Sequence, residues 1–427
     1  MITTLCIAFL ITILFNVPIG ICLGFATLLA LMVSGKIPVL LVAQRMFTGI
    51  DVSTLLAIPL FIFAGKVMEK GGIAKRLTEL SYATVGFLPG SLAIITALSC
   101  MFFAALSGSA PATCAAIGGI MVPMMIKDGY PAEFAAALAA AAGTIGVIIP
   151  PSIPFVNYAV LANISVGDIF IAGIIPGILI GLGLMIYSSV VSKRRHYGRI
   201  VIKFTWSNLW KALKSSILAI LMPLIVLGGI YAGVFTPTEA ASVACVYSII
   251  VSTFIYKELN LKEIPRLAYE SGVTSGMIMF IIATATSFSW VLATEQVPIK
   301  IANFISRFAK TPFMILLLIN ILLLINGCFM ELTASLFILT PIFLPLISNA
   351  GINLIHFGVI EVMNMTLGLV TPPLGVNLFV AKGLGKDMNF NDIVKHVTPM
   401  FIVLVVVLFA VTYIPGLSLG LLNILNK

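Results

Sequence analysis

The 427-residue chain is 60% hydrophobic and only 9% charged, with a formal net charge of +9 and a mean hydropathy of +1.18. A soluble domain needs about 25% charged residues, so the composition excludes a water-soluble globule and points to an all-α integral membrane protein. Long apolar runs select helices, and at about 20 apolar residues per span there is room for roughly ten crossings plus re-entrant segments.

In chain order, the first 35 residues carry no charge. They lack the basic start and short apolar core of a cleaved signal, so a retained transmembrane segment is expected. Lys36 and Arg45 follow it, which places the N-terminus outside. Gly72–Gly86, with Lys75, Arg76 and Glu79, reads as an amphipathic helix lying along the interface. The stretch Leu106-Ser-Gly-Ser-Ala-Pro-Ala-Thr113 separates apolar runs too short to cross about 30 Å alone. A re-entrant helical hairpin with its polar tip near 107–111 is therefore expected. At Gly143-Thr-Ile-Gly-Val-Ile-Ile-Pro-Pro-Ser152, two successive prolines remove two backbone donors and bar the preceding residue from helical geometry. The helix over 143–154 must break.

Between Asp168 and Glu239 there is no acid, while Lys193, Arg194, Arg195, Arg199, Lys203, Lys211 and Lys214 cluster. Such a cluster beside membrane spans retains a loop in the cytoplasm, so 193–214 is expected to be a basic cytoplasmic linker. No aromatic platform or known module surrounds it to favour nucleic acid. Thr236, Pro237 and Glu239 fit a helix N-cap, N1 and N3, a structural capping box. Val297–Lys310, with Lys300, Arg307 and Lys310, is a second interfacial amphipathic segment. Asn326-Gly-Cys-Phe-Met-Glu-Leu-Thr-Ala334 is a second hairpin tip near 327–333, and Thr366-Leu-Gly-Leu-Val-Thr-Pro-Pro373 opens a second broken helix over 366–375. The uncharged last segment, Thr398 to Asn426, follows Lys382, Lys386 and Lys395 and places the C-terminus outside. The six cysteines have neither pairing nor metal-ligand spacing, and the three histidines are scattered.

An offset of 222 residues lays Pro123 on Pro345, Gly129 on Gly351, Gly146 on Gly368, Pro150 on Pro372 and Pro151 on Pro373. The chain is two homologous halves, 1–192 and 215–427, joined by the linker. With both termini outside and the linker inside, each half crosses an odd number of times, so the halves form inverted-topology repeats. Secondary transporters built this way bind at discontinuous helices near the midplane.

A half-helix ending in mid-membrane presents partial negative charge and free carbonyls, and one beginning there presents partial positive charge and free N–H groups. The first suits Na⁺ and the second a carboxylate. Two related cation sites are expected. One lies between Ser107-Gly108-Ser109 and the Gly143, Gly146 and Pro150 break; the other lies between Gly327, Met330 and Glu331 and the Gly368–Thr371 break. The hydroxyls of Ser107, Ser109, Ser152, Thr333 and Thr371 remain for ion or substrate. Glu331 is the one acid in an apolar hairpin, and intramembrane acids default to function. It reads either as part of an ion-coupled anion site, with Na⁺ or H⁺, or as a cap for the second hairpin arm.

These motifs resemble a family. Leu106–Thr113, the 146–154 stretch, Thr236-Pro-Thr-Glu-Ala240, Leu339-Thr-Pro-Ile-Phe-Leu-Pro345 and Gly368-Leu-Val-Thr-Pro-Pro-Leu-Gly375 are similar to the large membrane subunit of the TRAP (tripartite ATP-independent periplasmic) transporters. The resemblance covers nearly the whole chain. It implies a Na⁺-driven importer of organic acids in a bacterial inner membrane, of the sialic acid or C4-dicarboxylate class, with sialic acid the more favoured. It also implies two or more coupling Na⁺ ions, a small membrane subunit on a separate chain, a periplasmic substrate-binding protein, and an elevator-type scaffold with a moving transport domain. By the same resemblance the two tips and two breaks are the sodium sites, and Ser109 and Ser152 face the substrate. Glu331 departs from the shorter Asp of the family's pattern, which leaves direct ion ligation by it open. Competing readings are an anion channel or pore, which needs a continuous polar lining, and a non-transporting scaffold subunit, which needs no symmetric breaks. An enzyme is not expected: no metalloprotease, serine-elbow or nucleotide-binding loop motif is present.

Overall fold

The computed structural model describes residues 1–15, 17–35, 37–198, 204–385 and 388–425. Lys36, Arg199, Lys203, Lys386 and Asn426, used above to orient the chain, lie outside the described residues. Helices account for all regular structure among the described residues. The first half runs α1 (Ile2–Leu14), α2 (Ile19–Ser34), α3 (Leu40–Ile50), α4 (Ala57–Lys70), α5 (Ile73–Val85), α6 (Ser91–Ser107), α7 (Ala110–Lys127), α8 (Ala132–Gly143), α9 (Ile153–Ala162) and α10 (Val166–Arg195). The second runs α11 (Trp206–Tyr231), α12 (Pro237–Ile250), α13 (Ile264–Thr294), α14 (Val297–Phe308), α15 (Pro312–Gly327), α16 (Leu332–Asn349), α17 (Leu354–Gly368), α18 (Val376–Lys382), α19 (Phe390–Tyr413) and α20 (Gly416–Leu425). The offset seen in sequence recurs in the helices. α7 and α16 are both 18 residues long, and both they and the pair α8 and α17 begin 222 residues apart.

Among the described residues, seven helices are long and apolar enough to cross a membrane, or eight if the pair bent by 65° at Leu40–Ile50 and Ser53–Lys70 counts as one span. Much of the remaining apolar sequence lies in helices of 10–17 residues, α6, α15 and α17 among them, shorter than the usual span of about 20 residues. α7 and α16 pass by length alone, yet each starts at an interior hairpin tip.

Local signals place the helix ends as expected. Thr236 accepts from the Glu239 N–H at 3.3 Å while the Glu239 carboxylate accepts from the Thr236 N–H at 2.8 Å, a complete capping box. Both amphipathic segments are helices, α5 and α14. α5 buries Ile73, Ala74, Leu77 and Leu80 and leaves Lys75 and Glu79 exposed. Its Arg76 donates to Glu258 at 2.7 Å and lies 3.7 Å from the centre of the Tyr256 ring.

The halves interlock. α9 packs on α16 and α17, while α18 packs on α7 and α8. The Tyr158 hydroxyl donates to the Leu354 carbonyl at 2.7 Å, and the Asn377 amide donates to the Ala140 carbonyl at 3.0 Å. α8 is buried along Phe134–Gly143 with seven alanines there, the small side chains that let membrane helices approach closely. α2 and α3 pack on α13, where Phe280 and Thr284 fill the notches at Gly20 and Gly24, and α13 packs in turn on α4 and α16.

One polar pair holds α15 to α17. The Asn364 amide donates to the Asn320 side-chain oxygen at 2.7 Å and to its carbonyl at 3.0 Å, with both residues fully buried. Asn320→Leu removes the shorter of the two bonds made by the Asn364 amide and leaves the one to the backbone carbonyl, and a lost net hydrogen bond costs about 0.5–1.5 kcal/mol. The expected outcome is a lower melting temperature in detergent. An unchanged melting curve would show that the pair contributes nothing to α15–α17 packing.

Candidate functional site

The first tip is set by three residues. Gly108 adopts a left-handed conformation at φ 59° that ends α6. Ser109 then caps α7, its hydroxyl oxygen accepting the Ala112 N–H at 3.4 Å. Ser107 Oγ and Thr113 Oγ1 are 2.6 Å apart, and Thr113 donates to the Ser109 carbonyl at 2.9 Å. Close approach also demands glycine here: a Cβ on Gly108 would lie 2.9 Å from the Pro151 carbonyl oxygen.

The first break lies against this tip. α8 tightens to a 3-10 turn at Thr144–Val147, and the chain then turns through Pro150–Pro151. Ser152 donates to the Val147 carbonyl at 2.6 Å and accepts the Phe155 N–H at 3.3 Å, starting α9. Gly146 abuts the Thr113 hydroxyl and the Ser109 carbonyl, and a Cβ on Gly143 would lie 3.2 Å from the Ala110 carbonyl oxygen. The first turn of α7 and the Thr144–Val147 turn therefore share one seam, with α6 packed on the same turn.

The second tip and break repeat this plan. α15 ends at Gly327, the chain turns through Cys328–Met330, and Glu331 caps α16 by accepting the Ala334 N–H at 3.0 Å. The Asn326 amide donates to Ser335 Oγ at 2.7 Å. α17 ends at Gly368, Thr371 donates to the Leu367 carbonyl at 2.7 Å, and α18 starts after Gly375. A Cβ on Gly327 would lie 3.0 Å from the Gly368 Cα, and one on Gly368 would overlap the Gly327 carbonyl. Here the chains touch backbone to backbone, in a second seam joining two helix C-terminal ends.

All four interruptions meet at one cavity of about 170 Å³. Gly108, Ser109, Ala110 and Pro111 line it from the first tip, and Glu331, Leu332 and Thr333 from the second. Val147, Ile153 and Pro154 come from the first break, Leu369 and Val376 from the second, and Ile278 from α13 closes it. First-turn residues of α7, α9, α16 and α18 are all in this lining. The N-terminal ends of α7, α9 and α16 bring partial positive charge to the cavity, opposed by the Glu331 carboxylate and by the C-terminal ends in the seams. The cavity suits an anion, and the two seams, where C-terminal ends converge, suit cations. Larger grooves of about 410 and 420 Å³ include none of the tip or break residues.

Of the residues expected from sequence, Gly108, Ser109, Glu331 and Thr333 line the cavity. Ser107, Gly143 and Gly146 lie in the first seam and Gly327 and Gly368 in the second. Pro150 is buried in the first turn, while Met330 and Thr371 are half-buried beside the second. Ser152 is fully buried with its hydroxyl closing the break, so in this conformation it is not part of the cavity lining. Sequence reasoning missed Ile278, which no local signal marks. It also missed Asn157 and Asn377, fully buried with side-chain atoms lacking partners among the described residues. The recurrence of Val156-Asn157 as Val376-Asn377 after each Pro-Pro was the available clue.

Residues 6–417 match the model of a family described as the DctM component of the tripartite ATP-independent periplasmic transporter. The chain is 44% identical over 404 residues to the C4-dicarboxylate TRAP transporter large permease protein of Pseudomonas aeruginosa, covering 94% of this chain and 93% of that protein. It is also 44% identical over 404 residues to the isethionate TRAP transporter permease of Oleidesulfovibrio alaskensis; that match covers 95% of this chain but 64% of the longer relative. Identity to the sialic acid large permease of Vibrio cholerae is 36% over 404 residues, covering 95% and 94%. Among solved structures the fold resembles the YdaH transporter of Alcanivorax borkumensis, with a TM-score of 0.64 at 15% identity over 89% of this chain and 88% of that one.

Proposed function

Since this chain belongs to the DctM component family of the tripartite ATP-independent periplasmic transporters, and is thus a multi-pass inner-membrane transporter permease rather than an enzyme, we propose that it imports a small organic anion coupled to Na⁺. The observation that carries this reading is the convergence of the N-terminal ends of α7, α9 and α16 on one cavity, flanked by two seams of C-terminal ends. The anion sits against the N–H groups of α7 and α16 with the Ser109 and Thr333 hydroxyls beside it. Na⁺ ions, two or more, are cargo held by carbonyls of the seams, Ser107–Ser109 with Gly143–Pro150 and Gly327–Glu331 with Gly368–Thr371. Their charge offsets that of Glu331, which otherwise repels the anion, so binding of one favours the other.

Relatives at 44% identity are named for C4-dicarboxylate and isethionate and one at 36% for sialic acid. The cavity, about 170 Å³, is below the usual range for larger ligands. Both points favour a small dicarboxylate or sulfonate over sialic acid, reversing the preference drawn from sequence resemblance. A periplasmic binding protein delivers the anion, and a small membrane subunit completes the system. Halves 1–192 and 215–427 lie inverted about the basic 193–214 segment, of which Lys193–Arg195 end α10 and Trp206–Lys214 begin α11, and α5 and α14 carry the hairpins of an elevator-type transport domain past its scaffold.

The test is uptake of labelled C4-dicarboxylate into proteoliposomes holding the permease, its membrane subunit and binding protein. An inward Na⁺ gradient is expected to raise uptake at least about tenfold over K⁺, the gain from a coupling energy of about 1.4 kcal/mol. Equal rates in the two salts would overturn the coupling.

A further inference from the structure

We propose that the groove between α5 and α11 is a headgroup site for a zwitterionic phospholipid, one carrying both a phosphate and an ammonium. The groove measures about 410 Å³ and is lined by Glu79 and Tyr82 of α5 and by Asn208, Lys211 and Ser215 of α11. Glu79 and Lys211 are both exposed, and among the described residues neither has an ion-pair partner. Arg76, one turn earlier on α5, shows the contrast, since it is paired with Glu258 at 2.7 Å. Opposite charges that share a groove without touching leave room for a dipolar group, its phosphate on Lys211 and its ammonium on Glu79. The Tyr82 and Ser215 hydroxyls and the Asn208 amide supply further polar contacts.

The groove lies where a headgroup belongs. Trp206 and Trp210, at the start of α11, are 76% and 71% exposed, and Phe204 packs edge-on against Phe87 and Trp206. Exposed aromatic rings at the end of an apolar span mark the membrane–water boundary. Charge decides between lipid classes. Basic pockets with no acid select anionic lipids, whereas here one carboxylate offsets one ammonium, and Glu79 acts as a repulsive element against a purely anionic headgroup.

The experiment uses the full chain, delipidated in detergent, and native mass spectrometry with phosphatidylethanolamine or phosphatidylglycerol added. The parent is expected to retain phosphatidylethanolamine about fivefold better, the ratio that one surface charge gives. Glu79→Gln is expected to remove that preference and Glu79→Lys to invert it, with Lys75→Gln, on the same helix outside the groove, unchanged. Lys211→Gln is expected to lower retention of both lipids. Equal retention of the two lipids by the parent, or parental behaviour of Glu79→Gln, would sink the proposal. Displacement of the lipid by equimolar soluble glycerophosphoethanolamine would overturn it in favour of a site for a free zwitterion. Glu79 and Lys211 are exposed, so melting temperature is expected to hold across the variants. The assay reads lipid alone and is separate from the transport reading.

Discussion

Gly368→Ala is expected to abolish uptake. A Cβ there overlaps the Gly327 carbonyl oxygen and lies 2.6 Å from the Gly327 carbonyl carbon and Cα, so the obstacle is backbone, which has no rotamer to change. Relief requires the second tip to move off the second break, separating the carbonyls proposed to hold one Na⁺. Overpacking of this kind costs about 1–3 kcal/mol, which by itself is a modest loss of melting temperature. Ion affinity suffers more, because a ligand cage loosened by a fraction of an ångström no longer matches the ion. Na⁺ titration of uptake in proteoliposomes, run beside thermal melts, checks this. A variant that folds but no longer saturates with Na⁺ is the expected outcome. Parental uptake and melting together would show that the seam is not the ion site.

The second large effect is at Glu331, where two roles coincide. Its carboxylate caps α16 through the Ala334 N–H at 3.0 Å, and it lines the cavity between the tips. Glu331→Gln keeps an oxygen for the cap but removes the charge, so the melting temperature is expected to stay near that of the parent. Na⁺-driven uptake is expected to fall tenfold or more, because a hydrogen bond or contact to a charged group contributes about 1.5–3 kcal/mol. Glu331→Ala removes the cap as well, a further cost of about 1 kcal/mol, and is expected to lower both uptake and melting temperature. If the Gln variant transports normally at low Na⁺ while only the Ala variant fails, the carboxylate is a cap alone. Both sequence readings of Glu331 were open, and the structure realises the capping one while leaving the charge beside the cavity.

Much of the site was legible because its signals are local. Pro150-Pro151 and Pro372-Pro373 withhold donors wherever they stand, and Gly108 before Ser109 ends one helix and caps the next regardless of what lies around them. The recurrence of these features 222 residues apart marked them as a set. Ser152 shows the limit of such reading. Its hydroxyl was free by sequence, yet the turn brings the Val147 carbonyl within 2.6 Å, and a buried hydroxyl takes the partner at hand. Asn157 and Asn377 are marked only by their recurrence after each Pro-Pro, since a lone amide in an apolar helix has no helical or strand periodicity.

Composition and punctuation in the sequence determined the solvent, the helical class and the points where helices stop, since these follow from transfer free energy and backbone geometry residue by residue. Tertiary structure alone decided that four stops share a cavity, that α9 packs on α16 while α18 packs on α7, that Ile278 of α13 closes the wall, and that Glu79 faces Lys211 across a groove. The physical reason is range. Many of those contacts join residues more than a hundred positions apart, and they are chosen by which helix faces fill one another's notches, a property of shapes that exist only once the helices have met.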